Sequence, residues 1–206
     1  MGRDMTSAAA RVRAIAAGAM GRASVWVRPA SILIVPVLAA EPAVAAWLGQ
    51  ERVAFDGAPL HVTVMFPFLP ARSLDAAEEE GIADLAHETE PFCFALARLG
   101  QFPGVQYLAP EPAAPFIAVT DRIQRRWPAC RPYDGMYSSV VPHMTVAVAE
   151  RLPADPGVLE RELPIRTRAD ELWLLEQTVR GWRTRRRFPL GGRLAAVPAE
   201  VRVASQ

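Results

Sequence analysis

Apolar positions along this chain recur with two different periods, and the switches between them mark out its elements. Ser31 to Val37 reads SILIVPV, a short β-rich run that predicts a buried strand. From Glu41 to Arg52 the spacing turns helical: Val44, Trp47 and Leu48 share a face, and Pro42 suits a first turn. Leu60 to Phe66 (LHVTVMF) returns to the strand period, and Pro67 and Pro70 end it. Ser73 to His87 predicts a helix, with Ser73 as N-cap, acidic residues in its first half, and Leu74, Ala77, Gly81 and Leu85 along one side. Phe92 to Leu99 alternates as a strand, and Val105 to Leu108 follows after the turn-like Phe102-Pro103-Gly104. Pro115 to Arg126 predicts a helix, and Val141 to Ala149 a strand with Pro142 at its start, where proline is tolerated. After a loop and short helix over Leu152 to Leu163, three strands close the pattern: Ile165 to Thr167, Glu171 to Thr178 and Trp182 to Pro189.

Strands and helices mix, with hairpin order more frequent than β-α-β order, so the expected class is α+β. With 206 residues, 51% of them hydrophobic, the chain can bury one sizeable core or two small lobes. The expected organisation is a basic extension without fixed structure over 1–30, a folded unit of two lobes over 31–190, and a loose tail over 191–206. The extension carries arginines at 3, 11, 13, 22 and 28 and lacks the long apolar core of a signal peptide; a misplaced start, with Met5 or Met20 as later ones, is a second reading, and a membrane-surface amphipathic helix a third.

Composition narrows the chemistry. A net charge of +1 does not announce a nucleic-acid binder. Every Lys or Arg position is arginine, so no lysine can act as nucleophile, Schiff base or P-loop cation. Cys93 and Cys130 are the only cysteines, too few for a zinc cluster or a disulfide framework, which points to the cytoplasm. The apolar stretch Ile32 to Ala40 is too short to span a bilayer and is broken by Pro36.

Two of the three histidines sit in near-identical strings, His61-Val62-Thr63-Val64 and His143-Met144-Thr145-Val146. Side chains alternate along a strand, so each His and the Thr two residues on point the same way, with Cα atoms roughly 6–7 Å apart. The apolar partners then face a core. Two such strands side by side would line a groove with two imidazoles and two hydroxyls, a set suited to phosphoryl chemistry. A neutral imidazole accepts a proton from water or a ribose hydroxyl, and a charged one donates to the leaving oxygen. The hydroxyls hold the non-bridging oxygens. A lone histidine on a strand is most often an ordinary half-buried residue; the duplicated string in matching contexts changes that balance. Neither string contains a carboxylate, no HExxH occurs, and there is no cysteine cluster, so no metal and no cofactor is expected.

With these strings the sequence resembles the two-histidine phosphoesterase superfamily, and in particular its small bacterial 2′-5′ RNA ligase-like branch. The likeness runs from about Ser31 to Gly191. It includes Ala58 to Phe68 (APLHVTVMFPF), Phe102 to Pro110 (FPGVQYLAP), Val140 to Ala147 (VVPHMTVA) and Glu171 to Leu175 (ELWLL). The resemblance implies a two-lobed, pseudo-symmetric α+β body whose antiparallel sheets face a central cleft with helices outside. It also implies action on a 2′,3′-cyclic phosphate or a 2′-5′ linkage, with His61 as proton donor and His143 as acceptor. Several RNA-processing relatives carry a basic residue shortly after the second motif threonine. Here Val148 and Ala149 fill that stretch, and Arg151 is the first arginine, which argues against tight RNA binding and ligation. The expected partner is a small nucleotide or RNA end, with no membrane and no protein partner implied. The alternative is a module that binds a nucleotide or phosphometabolite in the same cleft without turnover.

Other positions have two readings each. Arg183, Arg185 and Arg187 alternate on the last strand, as a phosphate-attracting stripe or a solvated sheet face. Phe66 and Tyr107 are candidate substrate-lining aromatics, or core residues. His87 sits at a helix end, where its charge suits the dipole, and carries no expected chemistry. Tyr133 to Tyr137, around Gly135, reads as a mobile loop into the second motif that covers the cleft or merely connects.

Overall fold

The computed structural model describes residues 30–49, 57–148, 155 and 157–192. The expected N-terminal extension and C-terminal tail lie almost wholly outside these residues. In chain order the elements are β1 (Ser31–Pro36), α1 (Glu41–Leu48), β2 (His61–Met65), α2 (Ala76–His87), β3 (Phe92–Phe102), β4 (Val105–Glu111), α3 (Ala114–Arg126), β5 (Met144–Val148), α4 (Gly157–Glu160), β6 (Ile165–Ala169), β7 (Glu171–Thr178) and β8 (Gly181–Pro189). The strands form two four-stranded sheets: sheet 1 in the order β2-β1-β7-β8, sheet 2 in the order β5-β4-β3-β6. All pairings are antiparallel, so the class is α+β as expected.

The two sheets echo each other. In each, a strand leads through a helix into an antiparallel neighbour at the sheet edge: β1-α1-β2 in sheet 1, β4-α3-β5 in sheet 2. Both His-x-Thr strings therefore lie at sheet edges, and the edges β2 and β5 approach one another. One core runs under both sheets. It joins Leu33, Val62 and Leu174 of sheet 1, Phe94, Leu108 and Met144 of sheet 2, and Val44, Ile82 and Phe116 of the helices. Among the described residues no helix is long and apolar enough to cross a membrane.

Several boundaries differ from the sequence pattern for local reasons. α1 stops at Leu48 because Gly49 takes a left-handed conformation (φ 65°) as its C-cap. The cap of α2 is Asp75, not Ser73: its Oδ1 accepts from the Glu78 N–H at 2.9 Å, while Ser73 is used in the preceding 3-10 turn. β3 and β4 run longer than predicted because Pro103-Gly104 makes a two-residue turn, with Gly104 at φ 79°. Pro110 is tolerated in β4 because the ladder to β5 ends at Leu108, which leaves that side of the strand open. β5 starts at Met144 rather than Val141, since Pro142 has no N–H to donate and the Val141 carbonyl is taken by a side chain.

α3 ties the halves together. Its Thr120 hydroxyl lies 3.0 Å from the carbonyls of Val64 and Phe116 and has one proton to share between them. Val64 is on edge strand β2, so this helix gives a buried motif-strand carbonyl a partner. Thr120→Val keeps the shape and removes the donor. It is expected to cost about 1–2 kcal/mol, read as a lowered denaturation midpoint with unchanged slope, and Thr120→Ser should recover most of the loss. A Val variant as stable as the parent would show that water satisfies the carbonyl instead.

Candidate active site

The motif strands alternate as their sequence requires. Val62, Val64, Met144 and Val146 are buried in the core, and His61, Thr63, His143 and Thr145 are half-buried on the opposite face of their sheets. Because β2 and β5 are neighbouring edges, this face of each sheet looks into the cleft, with helices on the far side.

Both imidazoles are held by the same device. Nδ1 of His61 lies 2.6 Å from the Pro59 carbonyl, and Nδ1 of His143 lies 2.7 Å from the Val141 carbonyl, in each case the residue two positions upstream. A carbonyl only accepts, so each ring donates from Nδ1 and leaves Nε2 as its one reactive nitrogen. Burial pushes both imidazoles below their ordinary value of 6.5, against the opposing effect of these carbonyl bonds. His61 is lowered further, to a lesser degree, by repulsion from the charge of His143. Repulsion of this kind makes the second proton harder to add than the first. Burial and this repulsion both act against the doubly charged pair.

The hydroxyls of Thr63 and Thr145 make no hydrogen bond to any described residue, which leaves them free to meet a ligand. On sheet 2 the wall beside them is aromatic. Tyr107 lies directly across from Thr145 and stacks on Phe102 at 4.3 Å between centroids. The rings of Phe102 and Tyr107 meet His143 at 5.1 and 5.5 Å, both edge-on. Gly100, paired with Tyr107 from the other side, is required here: a Cβ on it would sit 2.4 Å from the tyrosine ring. On sheet 1, Phe66 packs edge-on to Trp182 at 6.0 Å, beside a buried patch of Ile32, Ile34, Trp173 and Leu175. Both sequence candidates for lining, Phe66 and Tyr107, are thus on the cleft side. Phe102, Trp173 and Trp182 join them without having been singled out from sequence.

The alternating arginines do not form one stripe. The register between β7 and β8 shifts between Leu174 and Leu175, and Arg185 is the extra residue. Arg183 and Arg185 consequently reach Glu176, and Arg185 and Arg186 reach Glu79 of α2, all on the helix side. Hydrogen bonds from Arg183 and Arg185 hold the Glu176 carboxyl below the usual carboxylate range, and Arg185 and Arg186 do the same for Glu79. Arg187 alone of these turns to the cleft side, where it lies over the Trp173 ring at 3.9 Å.

The loop before the second motif is anchored rather than loose at its start. The Tyr133 N–H donates to the Phe66 carbonyl at 2.6 Å, which ties the loop to the end of β2. Tyr133 and Asp134 take left-handed backbone conformations at φ 52° and 54°, and burial pushes the Tyr133 phenol pKa up. Met136, Tyr137 and Val141 further along are exposed. Both thiols are free, Cys93 exposed and Cys130 buried.

Comparison with known proteins follows the same outline. Curated protein sequences give no match. Among solved structures, Escherichia coli LigT complexed with 3′-AMP is similar, with TM-score 0.56 and 19% identity over 79% of this chain and 98% of that one. TT0787 of Thermus thermophilus gives TM-score 0.58 and 16% identity over 79% and 98%. LigT complexed with NADP+ gives TM-score 0.55 and 17% identity over 80% and 99%. At such identities the likeness establishes the fold. A family model described as the 2′-5′ RNA ligase superfamily matches residues 36–181, a span that contains both His-x-Thr strands, all of sheet 2 and strands β2 and β7 of sheet 1, and the chain belongs to that superfamily.

Proposed function

We propose that this protein is a metal-independent phosphodiesterase that opens ribose-linked phosphates, a 2′,3′-cyclic phosphate or a 2′-5′ linkage, by two-histidine acid/base catalysis. Membership in the superfamily supports a phosphoesterase-type enzyme. The observation that carries the finer reading is the matched pair of Nδ1–carbonyl bonds, which leaves one Nε2 atom and one unbonded threonine hydroxyl on each wall of the cleft. In hydrolysis of a cyclic phosphate, neutral His143 takes a proton from water through Nε2 as the water oxygen attacks phosphorus. Protonated His61 gives its Nε2 proton to the departing ribose oxygen. The P–O bond to that oxygen breaks, and the product is a phosphomonoester beside a free hydroxyl. Thr63 and Thr145 donate to the non-bridging oxygens and hold the phosphorus in line. Two imidazole nitrogens fall short of the three protein ligands of a catalytic zinc site, so the donor set suits proton transfer better than metal binding. The Phe102–Tyr107 pair beside His143 offers a flat apolar surface for a base, and the relatives with bound 3′-AMP and NADP+ make a nucleotide the natural ligand to try.

Turnover of 2′,3′-cyclic nucleotides and of RNA with a cyclic end, measured in chelator, tests the reading. Single His61→Ala or His143→Ala variants should lose roughly 10²–10⁴ in kcat. Thr63→Val and Thr145→Val should lose less and raise KM as well. Chelator should change nothing. Equal turnover by the parent and the double histidine variant would overturn the proposal, as would activity lost in chelator and restored by zinc or manganese. Binding without any turnover would favour the non-catalytic module.

The pH dependence has a definite sign. Because both rings are pushed below 6.5, the free enzyme reaches its singly protonated pair on the acid side of that value. The kcat/KM profile should therefore be a bell with its maximum below about pH 6.5. A bound phosphate anion favours the imidazolium, so the kcat profile should shift upward, toward roughly pH 6–7.5. Nitrogen NMR of labelled histidine should show the Nδ1–H tautomer for both rings at high pH. An Nε2–H tautomer at either residue would contradict the assignment of its reactive nitrogen.

A further inference from the structure

Thr63, Ile34, Trp173 and Arg187 form one transverse row across sheet 1, each directly paired with the next. Residues paired directly in an antiparallel sheet project from the same face, so Arg187 shares a face with the motif threonine. Three strand spacings put its Cα about 14 Å from that of Thr63. The side chain turns back along the row, and its Cζ stands 3.9 Å from the centre of the Trp173 ring. That ring is a fixed platform. It is 6% exposed, and its indole N–H is bonded to the Glu171 carboxylate at 2.6 Å.

The rest of β8 makes Arg187 stand out. Arg183, Arg185 and Arg186 are all ion-paired with Glu176 or Glu79 on the helix side. Arg187 is exposed and has no carboxylate partner among the described residues. Glu171, bonded to the platform's indole N–H, keeps its negative charge but makes no ion pair with the Arg187 guanidinium. One cation without an ion pair is thus set on the cleft face, over a ring held in place by its own hydrogen bond.

We propose that Arg187, seated on Trp173, is a second anion subsite, and that it selects substrates with a further phosphate one ribose away from the reacting one. The class is a 5′-phosphorylated nucleoside 2′,3′-cyclic phosphate, or an RNA end whose penultimate phosphate reaches the guanidinium. The assignment rests on the reading of the His-x-Thr pair as the reacting centre. Trp173 lies two strand spacings, about 10 Å, from Thr63. The threonine hydroxyl and the guanidinium each reach inward by a hydrogen-bond length of about 3 Å, which leaves room for a single sugar between the two phosphates. The planar guanidinium keeps its charge at every relevant pH and presents donors in a fixed fork suited to phosphate oxygens.

Calorimetric binding of adenosine 3′,5′-bisphosphate and of adenosine 3′-monophosphate tests this directly. The parent protein should bind the bisphosphate about five- to tenfold more tightly, the modest range suited to an exposed charge pair, and added salt should shrink the ratio. Arg187→Ala should bring the ratio close to one. Arg187→Lys should keep part of it, since the charge stays and the fork is lost. Arg180→Ala, which removes one exposed arginine at the β7–β8 turn, should leave it at the parent value. A parent ratio near one, a ratio that survives Arg187→Ala, or equal weakening of both ligands would each overturn the subsite. Turnover assays on a cyclic nucleotide with and without a 5′-phosphate should show the same Arg187-dependent ratio in KM. Absence of all turnover with an intact Arg187-dependent binding ratio would reject the phosphodiesterase reading and leave the subsite standing. Brisk turnover with no such ratio would do the reverse.

Discussion

Each motif imidazole is tied through Nδ1 to the carbonyl two residues before it, and the geometry of the cleft depends on that bond. It requires a carbonyl that no strand ladder has claimed. The chain meets the requirement in both halves by approaching the strand through a proline, Pro59 before His61 and Pro142 before His143. It further requires that the following strand be a sheet edge, so that its ring can look across to the other ring. Both β2 and β5 are edges, and an edge leaves backbone groups without strand partners. On β2 the Thr120 hydroxyl of α3 covers one of them at Val64. A helix from one half thus supports the motif strand of the other, which makes the cleft a property of the whole core rather than of either lobe.

What could be read from sequence was whatever obeys a short period. Alternation over five residues placed His and Thr on one face and Val or Met on the other, and the structure keeps that division at both strings. The Asp75 cap and the Gly49 stop were also local. They were missed because Ser73 and Arg52 fitted the helical pattern equally well. The arginine stripe failed for a different reason. Period-two alternation assigned Arg183, Arg185 and Arg187 to one face, but a single extra residue opposite Leu174 and Leu175 moved Arg187 to the other. A bulge depends on what both strands can pack and pair, so alternation within β8 could not reveal it. Phe102 is similar: as a turn residue it carried no signal, and only the fold of the β3–β4 hairpin lays it on Tyr107 beside His143.

Net charge was a poor guide to local charge for the same reason. A total of +1 conceals a sorted distribution, in which the helix side of β8 pairs three arginines with two buried or partly buried carboxylates. Those pairs anchor α2 to sheet 1, and each of the three arginines there is tied into an ion pair on the helix side, away from the cleft. Burial on the cleft side acts in the opposite sense on the imidazoles, lowering both and resisting a doubly charged pair. The resting cleft therefore carries little positive charge of its own near neutral pH, apart from a cation that cannot lose its proton.

This makes the two walls unequal in a way that orients a ligand. Sheet 2 offers stacked Phe102 and Tyr107 against His143, with Gly100 keeping space for the tyrosine ring. Sheet 1 offers a row that begins at Thr63 and ends in Arg187 over Trp173. An anion drawn to the fixed cation of sheet 1 leaves its flat apolar part to the aromatic wall of sheet 2, because the reverse arrangement would bury a charge against rings and expose a base to water. In the proposed reaction the phosphorus sits between the two rings, each of which keeps Nε2 free of the carbonyl bond. Pseudo-symmetry supplies two imidazoles held in the same way, and on the proposed reading the difference between the walls sets which way round a substrate meets them.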